Sequence, residues 1–189
     1  MKTTENKTMS IPKVAGFPGV KDGEVFRLAG MEFIKFPSVD GKTPVVMRDI
    51  EFSSRFGDNN DLRCSDALKK MQKDILPKII EEIGEENVLT FQTDLTALDG
   101  LKPYGVMESK ISLPTLDFYR QHVEIFDKYQ VDEWWWLATP ESAQPHSAPK
   151  WIVCVAPSGC IFHDRCIHLG NGVRPFLIFN SSIFESSEN

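Results

Sequence analysis

Three thiols and two imidazoles crowd into one short stretch of this chain: Cys154, Cys160, His163, Cys166 and His168. Thiolate and imidazole are the donors that zinc and copper(I) take. In a chain made in the cytosol, such thiols point to reduced side chains, a metal or redox chemistry before a structural disulfide. The spacing C-x5-C-x2-H-x2-C-x-H does not read as a zinc pattern. A three-residue hairpin at Pro157-Ser158-Gly159 sets Ala156 opposite Cys160 and Val155 opposite Ile161. Cys154, Ala156, Cys160 and Phe162 then share one face, and Trp151, Val153, Val155, Ile161 and His163 the other. Cys160 and His163 are therefore not expected to share a metal. The cysteines read as small buried side chains and the histidines as loop residues. No cofactor is predicted; zinc or copper at Cys154, Cys160 and Cys166 is the weaker alternative. Because both faces of the hairpin are largely apolar, it is expected to be covered on both sides.

Other chemistry is thinner. Gln144-Pro145-His146 has an amide and a proline where a calcium-dependent sugar site would carry them, but the loop offers few of the hard oxygens calcium needs. The acid pairs Glu81-Glu82, Glu85-Glu86 and Asp132-Glu133 read as solvated faces rather than acid/base dyads. No nucleophile–base spacing, phosphate loop or glycine-rich nucleotide turn stands out. No catalytic residue is named, and the balance leans away from an enzyme.

Charge narrows the partners. Lys and Arg number 21 against 27 Asp and Glu, a net charge of -6. Direct nucleic-acid binding, which needs a basic face to displace counterions, is not expected. A protein partner is expected, with a glycan as the alternative. The first ten residues lack the apolar core of a signal peptide, and no apolar run approaches membrane-spanning length. Synthesis in the cytoplasm and no membrane contact are expected, with virion association as a further destination.

The elements that must position these groups read as one α+β domain over residues 24–180. A flexible lead-in (1–23) precedes it and a polar tail (181–189) follows. Strands over EVFRLAG and MEFIKFPSV break at Ala29-Gly30, and Asp40-Gly41 turns the chain into TPVVMRDIEF. Ser65 caps a helix carrying Leu68, Met71, Ile75, Ile79 and Ile83 at helical spacing. Gly84 ends it, and Pro77 predicts a kink or two short helices. NVLTFQTDLT reads as a strand, and Thr115 caps a short helix. WWWLA, KWIVCVA, CIFHD and GVRPFLIF form a β-rich last third.

Trp134, Trp135 and Trp136 stand in a row, so a strand would send Trp134 and Trp136 one way and Trp135 the other. That fits a central strand packed on both faces, with at least two of the rings in the core. An exposed stacking platform is the alternative for the third ring. WWWLATP followed by GVRPFLIF resembles the bacterial and prophage domain-of-unknown-function family 6273. FGDNN (56–60), DLT (94–96), DG (99–100), YG (104–105) and SLPTLDFYR (112–120) stand in matching order, so the resemblance covers roughly residues 24–180.

The resemblance implies a C-type-lectin-like fold, akin to formylglycine-generating enzymes and phage receptor-binding variable domains: small twisted, mostly antiparallel sheets flanked by two helices. It implies a structural role for Arg174 and a ligand surface in the stretch before it. Phe162, His163, Arg165, His168 and Asn171 are the expected ligand-binding residues, within loops spanning 138–171. A non-enzymatic module of phage or prophage origin that binds a protein or glycan is the leading expectation. An acidic, anti-CRISPR-like inhibitor of a host or defence nucleic-acid enzyme is the second. A copper or thiol oxidase built on Cys154 and Cys160 is the third; their spacing departs from the enzymes' motif.

Overall fold

The structure, a computed structural model, describes residues 16–186. Strands β1 (Val25–Leu28) and β2 (Met31–Lys35) form the first hairpin. Its turn residues, Ala29 and Gly30, have φ of 51° and 77°, the primed-turn geometry whose twist matches that of the flanking strands. Asp40 and Gly41 repeat it at φ 50° and 73° and feed β3 (Lys42–Met47), which pairs with β2.

The helical stretch divides as the proline predicts. Ser65 accepts a hydrogen bond from the Leu68 N–H at 3.0 Å and caps α1 (Asp66–Asp74). Helix α2 (Leu76–Ile83) starts anew with Pro77 in its first turn, where a missing N–H leaves no bond unmade. Leu68, Met71, Ile75, Ile79 and Ile83 are all buried. Thr115 caps α3 (Leu116–Gln121), and α4 (Val123–Phe126) follows directly.

Three sheets result. After β3 the chain makes the short β4 (Phe52–Ser53). Beyond α2, β5 (Phe91–Asp94) and β6 (Val106–Ser109) form a two-stranded ribbon. The sequence reading passes over β6, in which only Met107 is buried, too little for a period to show. Next, β7 (Trp135–Pro140), β8 (Trp151–Val155) and β9 (Ile161–Arg165) run antiparallel in succession. Then β10 (Gly172–Val173) slots between β4 and β7, giving the order β4-β10-β7-β8-β9. Finally β11 (Phe176–Asn180) crosses to the other sheet and pairs with β3, giving β1-β2-β3-β11. The class is thus α+β with mostly antiparallel sheets.

The packed body reaches past 24–180. Phe17 lies 4.7 Å from the Phe26 ring and 5.9 Å from that of Phe184. The expected polar tail opens with a 3-10 turn, Ser181–Phe184, whose Phe184 is buried. The rest of the expected lead-in, residues 1–15, lies outside the described residues. Among the described residues no helix is long and apolar enough to cross a membrane.

Candidate binding surface

Trp135 and Trp136 enter separate cores. Trp136 is fully buried among Phe33, Phe56, Met71 and Cys154, and Trp135 among Phe36, Tyr119, Phe126 and Phe176. The Trp136 indole N–H donates to the Ser54 carbonyl at 2.8 Å. Trp134, just before β7, is the third ring: it stays 39% exposed and meets the Phe162 ring edge-on at 5.2 Å.

The β8–β9 hairpin has the register expected from Pro157-Ser158-Gly159, with Val155 opposite Ile161 and Cys154 opposite Phe162. Gly159 takes φ 79°, and its carbonyl accepts the Tyr119 hydroxyl at 2.8 Å. The expected cover on both faces is corrected: β8 is buried almost throughout, whereas β9 is exposed. The cause is position, since β9 is the edge of its sheet. Phe162 is 52% exposed, and Ile161, Ile167 and Leu169 are exposed as well. With Trp134 these make five of the nine exposed large apolar side chains among the described residues. Scattered apolar exposure is ordinary, but a concentration of it marks a contact surface.

Polar groups order the loop that follows β9. Asp164 Oδ2 lies 2.9 Å from His168 Nδ1 and accepts the Asn171 amide at 3.2 Å. Its Oδ1 accepts the Arg165 N–H at 2.7 Å. Asn171 is buried, while His163, Arg165 and His168 are exposed. The expected residues therefore divide. Phe162 joins Trp134 on one face; His163 turns to the other and meets the Trp151 ring edge-on at 5.3 Å; His168 and Asn171 are drawn together by Asp164. The sequence reading missed Asp164, although an acid four residues before His168 was visible.

The cysteines separate too. Cys154 and Cys166 are buried, Cys64 and Cys160 exposed. Burial pushes the Cys154 and Cys166 thiols up to about 12, and nearby Asp164 adds to the shift. At neutral pH both are held as thiols, the form that is not a nucleophile. Among the described residues no group of three or more His, Cys, Asp and Glu side chains could hold a metal ion.

Two buried polar hubs hold the surrounding loops. The Asn60 amide donates to the carbonyls of Ser142 (2.7 Å) and Trp151 (2.9 Å), and its oxygen accepts the Tyr104 hydroxyl at 2.6 Å. This joins the FGDNN and YG segments to the loop between β7 and β8. Arg174 donates from Nε to the Met47 carbonyl at 3.1 Å and from an Nη to that of Arg48 at 2.7 Å. Burial pushes its guanidinium down to about 10, so it keeps its charge at neutral pH. The cavity at the loop, beside Asp58, Lys150, Arg165, Cys166 and Ile167, holds about 140 Å³, well under the roughly 300 Å³ at which small-molecule pockets begin.

In comparisons with protein families, curated proteins and solved structures, the chain matches none.

Proposed function

We propose that the chain is a non-enzymatic binding module of C-type-lectin-like fold and phage or prophage origin, which recognises a protein through Trp134, β9 and the 166–171 loop. The concentration of exposed apolar side chains there carries the reading. Exposed side chains on both faces of β9, Phe162 beside Trp134 on one and Ile161, His163 and Arg165 on the other, suit a protein interface, where aromatic and arginine anchors dominate. The small cavity beside the loop speaks against a buried small-molecule ligand at this loop. The fold assignment is supported by the last strand returning to β3, by two helical segments flanking the sheets and by a five-stranded sheet that carries the long loops.

The other readings draw less support. Glu82 already accepts the Ala29 N–H at 2.7 Å, and Glu85 lies 3.5 Å from Lys110, so the acidic pairs are partly engaged within the chain. A thiol oxidase on Cys154 and Cys160 would need a reactive thiolate where Cys154 is buried and protonated. The test is capture of a partner by the native chain and by a Phe162→Ala, Arg165→Ala, His168→Ala variant. Loss of the partner with the variant is expected; a partner that stays bound would overturn the assignment of this surface.

A further inference from the structure

We propose that the protein recognised by this surface is a second copy of the chain, added edge to edge along β9; the inference rests on reading the surface as protein-binding. In an antiparallel ladder, alternate residues turn their backbone groups to the neighbouring strand. Here Cys160 accepts from the Ala156 N–H and Cys166 donates to the Lys150 carbonyl, both at 2.9 Å. The even-numbered residues of β9 therefore serve β8, and Ile161, His163 and Arg165 turn N–H and C=O to the open edge. Arg165 is already engaged: its N–H donates to Asp164 and its carbonyl accepts the His168 N–H at 2.8 Å. The outward groups of Ile161 and His163 are left, one residue on each side of Phe162.

That pattern is complementary to itself. A second β9, antiparallel and related by a two-fold axis through Phe162, sets each Ile161 opposite the other copy's His163. Each such pair exchanges both its hydrogen bonds, and all the remaining outward groups are matched. An axis through His163 would instead set Ile161 opposite Arg165, whose groups are taken. The side chains agree with the first register. Phe162 faces its own copy in the close, non-hydrogen-bonded position, where aromatic pairs gain most. Trp134, at 5.2 Å from Phe162 in each copy, extends the pair into a row of rings. Asp164 falls opposite Cys160, so like charges do not meet. Edge strands are usually blunted by lysine or proline, and Ile161-Phe162-His163 has neither. Any extended strand offers backbone groups to such an edge, but a second copy also brings its own exposed Phe162 and Trp134 to the shared face.

The test is made on the full chain. Sedimentation should show a concentration-dependent dimer that Phe162→Asp, which sets two carboxylates face to face, converts to monomer. Phe162 is half exposed, so the variant is expected to fold. In a Cys64→Ser, Cys160→Ser background, Phe162→Cys should give a disulfide-linked dimer on mild oxidation. Ile161→Cys should not, because the two copies of residue 161 sit diagonally. A native chain that is monomeric at every concentration, a dimer indifferent to Phe162→Asp, or equal cross-linking at 161 and 162 would each overturn the proposal. If the native chain is monomeric yet captures another protein that the alanine triple variant loses, the protein-binding reading survives without the second copy. If it does neither, both fall.

Discussion

The guanidinium of Arg174 lies over the ring of Trp135, 4.8 Å from its centroid. The contact joins the two main sheets: Trp135 opens β7 in the five-stranded sheet, while Arg174 holds the carbonyls of Met47 and Arg48 at the end of β3. A buried cation over an aromatic face, with its N–H groups satisfied by carbonyls, is the arrangement in which arginine has no equal substitute.

Arg174→Lys is expected to destabilise the fold by about 2–3 kcal/mol, since charge-assisted hydrogen bonds to buried carbonyls are lost. Urea unfolding reads this directly. A lysine variant as stable as the native chain would show that the planar fork is not what joins the sheets.

Thiol reactivity should divide the four cysteines in the folded protein. Cys64 and Cys160 react quickly with a water-soluble disulfide reagent, and Cys154 and Cys166 only on unfolding. Stability should also fall at high pH. The folded thiols are held up to about 12 against an ordinary 9.0. Their contribution is therefore complete below the unfolded value and is lost as pH rises through the folded one. In that window the unfolded chain sheds protons that the folded chain keeps, and each group lowers stability by at most about 1.4 kcal/mol per pH unit. Replacing Cys154 with alanine should flatten the decline; an unchanged slope would count against the buried thiol as its source.

Asn60→Ala is expected to cost about 1–3 kcal/mol, because the buried Ser142 carbonyl and the Tyr104 hydroxyl lose their partner, while the Trp151 carbonyl keeps the Glu141 N–H. Hydrogen exchange should rise across residues 141–151 more than in α1. A uniform rise would show that Asn60 supports the whole domain rather than this loop.

The three adjacent tryptophans should behave differently when cut to alanine. Trp136→Ala removes a fully buried ring and should cost about 3–5 kcal/mol. Trp134→Ala, at a partly exposed position, should cost under about 1 kcal/mol in stability while weakening self-association. Equal losses of stability at both positions would contradict their placement.

Much of this was legible where a short segment carries its own instruction. Asp40-Gly41, the Ser65 and Thr115 caps and Pro77 act through backbone geometry within a few residues, and each lies in the turn, cap or break expected of it. The hairpin register at Gly159 was legible for the same reason. The exposure of β9 was not, because Ile161 and Phe162 are apolar and only the strand order makes them an edge. Nor was the division of GVRPFLIF, one apolar run in the sequence that supplies two strands to two sheets across Arg174-Pro175. The Asp164, His168 and Asn171 cluster depends on how the loop closes, which spacing alone leaves open.

That division also sets an order of assembly. Residues 172–180 complete both main sheets, β10 as an inner strand of one and β11 beside β3 in the other. On a ribosome the β1–β2–β3 hairpins and the β7–β8–β9 meander emerge earlier, with β4 and the outer edge of β3 still unpaired. Neither sheet can close until the final strands leave the exit tunnel. Until residues 172–180 are made, the nascent chain carries open strand edges, the condition in which chains rely on chaperones.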